Sequence, residues 1–221
     1  MYLSIVIPAY NEEGRIGTSL TEIYSFLKKR NYDFEIIVVD DGSKDKTLNL
    51  LSEYSQNIPN LIVLKNESNQ GKGFSVKKGV LNSKGDIILF TDADLSTPIG
   101  ELDKLIYWLD EGYLISIGSR DLPESQVNRH QAWYRELMGK IFNRIIRLIL
   151  NLDYHDTQCG FKCFRNDAAL EIFKGLRLCG FSFDVEMLFI AKHRGIKVKE
   201  VPIRWHNSPE SKVKIVRDSS K

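Results

Sequence analysis

Along the first half of the chain, short apolar runs alternate with stretches whose apolar residues recur at helical spacing. The runs fall at 3–8, 35–40, 61–65, 86–91 and 113–118, and each is nearly continuous, as in strands covered on both faces. Between them, 12–29 carries Ile16, Leu20, Ile23, Tyr24 and Leu27 on one stripe, and 46–54, 74–82 and 100–110 are similar, so helices are predicted there. Strand then helix, repeated, marks βαβ units; the expected fold class is α/β, a mainly parallel central sheet flanked by helices. Past Gly118 the pattern changes. A polar, mixed-charge loop over 121–130 leads, with no strand before it, into a long helix over 133 to about 151. A helix over 183–193 and a strand over 198–205 return the chain to the sheet ahead of a polar tail. One domain over 1–221 is expected, with halves 1–120 and 121–221.

Composition changes this picture little. The chain has 221 residues, 43% of them hydrophobic, enough for one filled core. Its 31 basic residues are nearly balanced by 29 acidic ones, a net charge of +2, so no nucleic-acid partner is expected and any functional charge must be local. Cys159, Cys163 and Cys179 leave an odd thiol and show no paired spacing, which favours neither a disulfide framework nor a zinc cluster and fits a reducing, cytoplasmic setting. The N-terminus enters a strand without the features of a secretion signal, and no run reaches the roughly 18 apolar residues a spanning helix requires. Membrane contact is therefore expected to be peripheral.

In open parallel sheets, ligands bind beyond the carboxyl ends of the strands. The first end reads Ala9-Tyr10-Asn11-Glu12, without the glycine-rich phosphate loop of a dehydrogenase. The second, Asp40-Asp41-Gly42-Ser43, has the composition of a turn and helix cap as much as of a site. The fourth, Thr91-Asp92-Ala93-Asp94, sets two carboxylates two residues apart, where they can converge on one hard cation, Mg²⁺ or Mn²⁺, that also takes diphosphate oxygens. Such an ion acts as a Lewis acid on a departing diphosphate. An isolated pair of this kind carries little weight; its place near Asp41 gives it more.

Taken in order, Ile5-Val6-Ile7-Pro8-Ala9-Tyr10-Asn11-Glu12, Val39-Asp40-Asp41-Gly42-Ser43, Asn69-Gln70-Gly71-Lys72-Gly73, Asp92-Ala93-Asp94 and Gly118-Ser119-Arg120 resemble family 2 of the inverting glycosyltransferases, which have the GT-A fold. Asp156-Thr157-Gln158-Cys159-Gly160-Phe161-Lys162, Phe183-Asp184-Val185-Glu186 and Val201-Pro202-Ile203-Arg204-Trp205 resemble the branch that glycosylates polyprenyl phosphates, and Ser211-Lys212-Val213 is similar to the dolichyl-phosphate glucosyltransferases. The resemblance implies transfer of glucose from UDP-glucose to a polyprenyl or dolichyl phosphate at the cytosolic membrane face. GDP-mannose as donor, a glycan hydroxyl as acceptor, and a non-catalytic nucleotide-sugar-binding protein remain as alternatives.

By the same resemblance, Pro8, Ala9, Tyr10 and Glu12 line the nucleoside pocket, Asp41 bonds the pyrimidine base and Lys72 lies near that pocket. Asp92 lies against ribose and metal, and Asp94 is the principal metal ligand; Ser96 stands where some relatives carry a glutamine. Asp156 opens the segment that faces the donor sugar and is the expected catalytic carboxylate, with Arg120 directly after the fifth strand. Asp184 and Glu186, two apart near a helix start, rank below it because helix-dipole placement accounts for at least one. Arg120, Arg129, Arg135 and Lys162 are candidates to collect the acceptor phosphate, since guanidinium forks suit its oxygens. Lys212 sits in a C-terminal loop expected to close over the donor pyrophosphate. In the helix over 133–151, Met138, Ile141, Phe142, Ile145, Ile149 and Leu152 form one apolar face, while Lys140, Arg144 and Arg147 fall on another stripe. That arrangement suits a helix in the membrane interface.

Overall fold

A computed structural model describes residues 2–128, 144 and 146–206. Its strands are β1 (Tyr2–Ala9), β2 (Asp33–Asp40), β3 (Leu61–Lys65), β4 (Ile87–Thr91), β5 (Ile115–Ser119), β6 (Gln126–Asn128), β7 (Phe161–Arg165), β8 (Val198–Pro202) and β9 (Arg204–His206). The helices are α1 (Ile16–Lys29), α2 (Thr47–Asn57), α3 (Lys72–Leu81), α4 (Leu102–Asp110), α5 (Asn166–Gly175) and α6 (Phe183–His193). Seven strands form one sheet in the order β3-β2-β1-β4-β7-β5-β8, while β6 and β9 pair in a separate parallel ribbon. All neighbours in the large sheet are parallel except at β7, which runs antiparallel to both β4 and β5.

Alternation along each strand sorts side chains into two cores. Leu3, Ile5 and Ile7 of β1, with Ile87 and Leu89 of β4, pack beneath Ile16, Leu20 and Ile23 of α1 and Leu102 and Leu105 of α4. Val6, Ile88 and Phe90 face the other way, onto α3, α5 and α6, through Val76, Ile172, Phe183 and Leu188. Both faces are thus covered, which is why the strands read as continuous apolar runs.

The second half differs from its sequence reading in four places. A short strand, β6, lies inside the stretch predicted as loop, and the strand predicted over 198–205 is two strands separated at Ile203. Strand β7 and helix α5 are unpredicted; Phe161-Lys162-Cys163-Phe164-Arg165 carries two cations and lacks the apolar run of its neighbours. Of the long helix, only 144 and 146–150 are described, and they are helical. The expected single apolar face does not hold there: Ile149 is 75% exposed beside Leu148 at 76%, but Leu152 is buried with α5 and α6. The cause is Asn151, whose φ of 50° ends the helix and turns Leu152 into the core.

Helix α3 lies so close to the sheet that a Cβ at Gly79 would stand 2.4 Å from Val6 Cγ1 and 3.3 Å from Val39 Cγ2. Gly79→Ala is expected to destabilise by about 1–3 kcal/mol through overpacking. Urea denaturation checks this, and Val6→Ala in the same chain should recover most of the loss by making room for the methyl.

Candidate active site

The loops after β1 and β2 are stitched together. Asn11 N donates to Ser43 Oγ at 2.9 Å and Glu12 N to Thr47 Oγ1 at 2.7 Å, while Lys44 N donates to Asn11 Oδ1 at 2.8 Å. Pro8, Ala9, Tyr10 and Glu12 therefore sit on one rim, with Tyr10 at 38% exposure. Asp41 is buried, and its carboxylate accepts from Asn66 Nδ2 (2.7 Å), Gln70 N (2.9 Å) and Gly71 N (2.9 Å), which fixes the loop entering α3. Only a small part of its accepting capacity is left for the base expected there. Asp40 contrasts with it: fully buried, it accepts from Ser43 N at 3.3 Å, and its Oδ1 has no hydrogen-bond partner among the described residues.

Gly71 leads directly to Lys72, whose ammonium stands 2.7 Å from Asp92 Oδ1, over the ring of Phe90 at 5.2 Å and near that of Phe181 at 5.7 Å. Burial alone would lower the Lys72 pKa, but the charges of Asp92 and then Asp184 outweigh it and hold the group above its usual value. Asp94 Oδ1 accepts from Ser96 N at 3.0 Å, and its Oδ2 lies 3.6 Å from Arg15 Nη1, while Arg15 also pairs with Glu12 at 2.6 Å. Ser19 Oγ donates to Ala93 O at 2.7 Å and His206 N to Ser96 O at 2.8 Å, so α1 and β9 hold the Asp92–Asp94 loop from two sides. Among the described residues no group of three or more acidic, His or Cys side chains is set to cage a metal by itself. The two carboxylates still fit Mg²⁺ or Mn²⁺, since such ions take one or two carboxylates and complete their shell with phosphate oxygens and water.

On the opposite side, at the end of β5, Arg120 makes a two-point pair with Asp156: Nε to Oδ2 at 2.6 Å and Nη2 to Oδ1 at 2.9 Å, joined by Arg120 N to Oδ2 at 3.1 Å. Trp205 of β9 lies 5.5 Å from the guanidinium. Burial would raise the Asp156 pKa, but Arg120 overcomes it and holds the carboxyl below its usual 3.8. Burial likewise pushes the nearby Cys159 thiol up to about 12, which makes it inert as a nucleophile.

Lys162 is a correction to the sequence reading. It was a candidate for the acceptor phosphate, yet it is wholly buried, with Nζ 2.5 Å from Asp184 Oδ1 and from Cys159 O. Its position in β7, opposite Phe90 and Ile117, turns it into the core beneath α6. Asp184 is its counter-ion, a role that helix-dipole placement did not anticipate; burial pushes its carboxyl above the usual range against the pull of Lys162 and Lys72. Glu186 accepts backbone N–H bonds from Arg177 at 3.0 Å and Leu178 at 2.8 Å and so holds the loop carrying Phe181. The β7 register would have shown Lys162 to be enclosed between Phe90 and Ile117; its pairing with Asp184 comes from the docking of α6 on that face. Arg129, Arg135 and Lys212 lie outside the described residues.

The family model Glycosyl transferase family 2 matches residues 4–173. A dolichyl-phosphate beta-glucosyltransferase of Trichomonas vaginalis is 36% identical over 227 residues, covering 97% of this chain and 69% of that protein. The dolichyl-phosphate beta-glucosyltransferase of Homo sapiens is 34% identical over 224 residues, covering 96% and 69%. Among solved structures, mannosyl-3-phosphoglycerate synthase from Rubrobacter xylanophilus superposes with a TM-score of 0.72 at 19% identity, over 100% of this chain and 69% of that one. Glucosyl-3-phosphoglycerate synthase from Mycobacterium tuberculosis, in complex with Mn²⁺, UDP-glucose and phosphoglyceric acid, gives 0.69 at 20% identity, over 95% and 73%.

The Arg120–Asp156 pair predicts the acid limb of stability. Because the folded carboxyl is held below 3.8, its contribution is complete above about pH 3.9, where the unfolded group titrates, and is lost as pH falls through the folded value. Asp156→Asn is expected to lose about 2–3 kcal/mol near neutral pH, the loss of charged hydrogen bonds, and to show a flatter limb below pH ~4. Urea denaturation at a series of pH values measures both.

Proposed function

The chain belongs to glycosyl transferase family 2 and is a glycosyltransferase of GT-A fold, and from that premise we propose that it moves glucose from UDP-glucose onto dolichyl phosphate or a related polyprenyl phosphate. The single observation that carries the acceptor class is the state of Asp156. A hydroxyl acceptor must lose a proton in the transition state, which calls for a base with a pKa near the working pH. Asp156 is held the other way, below its usual range and in a two-point pair with Arg120. A phosphate monoester brings an oxygen already ionised near neutral pH and needs no such base. The named relatives' acceptor supports the same reading.

In this reading Pro8, Ala9, Tyr10 and Glu12 form the nucleoside rim, with the remaining accepting capacity of Asp41 for the base. Asp92 and Asp94 would hold a divalent ion, Mn²⁺ or Mg²⁺, which when bound neutralises charge on the departing diphosphate. Lys72 adds a fixed positive charge beside Asp92. Asp156 orients Arg120: two N–H groups of the guanidinium go to the carboxylate, and its remaining donors suit the acceptor phosphate. Positioning and electrostatics then provide the rate. We further propose peripheral contact with the cytosolic face of a membrane. Exposed Leu148 and Ile149, with Arg144 exposed on the same helical stretch, supply apolar area and charge for it. No helix among the described residues is long and apolar enough to cross a membrane.

The test is transfer of labelled glucose from UDP-glucose, with Mn²⁺, to dolichyl phosphate in liposomes. A labelled glycolipid is expected with UDP-glucose and not with GDP-mannose, and Asp94→Ala should lower turnover at least about 100-fold, a loss of roughly 2.7 kcal/mol of transition-state stabilisation. Transfer to a soluble hydroxyl acceptor with dolichyl phosphate inert would overturn the acceptor assignment. Replacing Leu148 and Ile149 together by Glu should cut liposome binding about tenfold while turnover on detergent-solubilised acceptor stays unchanged.

A further inference from the structure

We propose that Gly160 is a positioning residue for the donor-side carboxylate Asp92, and that the missing side chain at 160 is what keeps that carboxylate aimed at Lys72. A Cβ at 160 would stand 2.0 Å from Asp92 Oδ2, 2.5 Å from Cγ and 2.8 Å from Oδ1, so all three of its nearest neighbours belong to one carboxylate. The backbone itself makes no demand for glycine here, because Gly160 is absent from the glycines with positive φ. The three atoms closest to such a Cβ are all Asp92's.

The segment over 156–162 cannot retreat to make room. At one end Asp156 is clamped by Arg120, and Asp156 N donates to Glu200 Oε1 at 2.8 Å. In the middle the Cys159 carbonyl accepts from Lys162 Nζ at 2.5 Å. At the other end Phe161 is in register with Thr91, next to Asp92 itself. The backbone at 160 is therefore pinned on both sides, whereas the Asp92 side chain is 36% exposed and has solvent to swing into. A methyl at 160 should displace the carboxylate and break its 2.7 Å contact with Lys72, leaving the sheet intact. By this contact one short segment joins the acceptor-side pair at Asp156 to the donor-side acid at Asp92.

The proposal rests on the reading of Asp92 as a donor-side carboxylate, and two measurements separate the contact from that reading. The first is a thermal-melting cycle of Gly160→Ala, Asp92→Ala and the double variant, without ligand. Gly160→Ala should lower the melting temperature by roughly 3–8 °C in the parent and by less than about 1 °C in the Asp92→Ala background, where the three atoms closest to the methyl are gone. If Gly160→Ala fails to fold, recovery of folding in the double variant supports the proposal. An equal loss in both backgrounds, or a double variant that also fails to fold, overturns it. The second measurement is calorimetric binding of Mn²⁺ in the presence of UDP. It should be at least about tenfold weaker for Gly160→Ala, with UDP alone binding as in the parent; undiminished Mn²⁺ binding overturns the positioning role. Should Asp92→Ala itself bind Mn²⁺ with UDP like the parent, the functional reading of Asp92 fails, not the contact.

Discussion

A lysine ammonium enclosed in the middle of a β-sheet cannot stand alone, and Lys162 is so enclosed because β7 is inserted between β4 and β5. An unpaired charge there would be prohibitive, and removing one partner of such a pair typically costs about 3–5 kcal/mol. Much of the site follows from meeting that demand. Asp184 must come to the sheet, which docks the first turn of α6 over β4 and β7; Glu186, two residues on, then holds the loop that brings Phe181 to Lys72. The second bond from Lys162, to the Cys159 carbonyl, braces the segment carrying Asp156 and Gly160. Apolar side chains of similar volume often replace a buried ion pair without loss of stability. They would leave that carbonyl without its donor and the segment without its brace.

A second constraint is the density of acids at the carboxyl ends of the strands. Each functional carboxylate stands against a cation of its own: Asp92 on Lys72, Asp94 near Arg15, Asp156 on Arg120. The pairings differ in kind. An ammonium is a compact point charge that can trade partners, while a guanidinium locked to both oxygens of a carboxylate is a geometrically specific and persistent pair. Under the proposed function, the Lys72–Asp92 contact can thus rearrange around an incoming diphosphate, whereas the Arg120–Asp156 pair keeps its shape.

What was legible in the sequence divides along the same line. The first five strands and four helices could be read because strands covered on both faces are continuous apolar runs, with helical spacing between them. The Asp92–Asp94 pair could be singled out because it follows a strand end near Asp41, although two acids two apart carry little weight by themselves. β7 was hidden by the two cations in its five residues, and with it went the partner of Asp184 and the burial of Lys162. No local rule assigns a partner across 22 residues; the insertion of β7 between β4 and β5 and the docking of α6 on it do so together. The Arg120–Asp156 pair, 36 residues apart, was hidden for the same reason, although both residues had been singled out separately.

That pair also explains how one fold can serve acceptors of different chemistry. Under the proposed function, the loops after β1 and β2 and the Asp92–Asp94 loop, all on the first half of the chain, serve the donor. In the same reading, acceptor chemistry enters at the junction of β5, β9 and the segment over 156–160, where a carboxylate can either be freed to take a proton or committed to orienting a cation. Freeing it requires a raised pKa, hence burial without a matched positive charge. Here burial is complete but the matched charge is present, backed by Trp205 and by the backbone N–H of Arg120 itself. The balance tips to an Asp156 carboxyl held below its usual range, and under the proposed function that leaves this corner to hold an anion that is already a nucleophile.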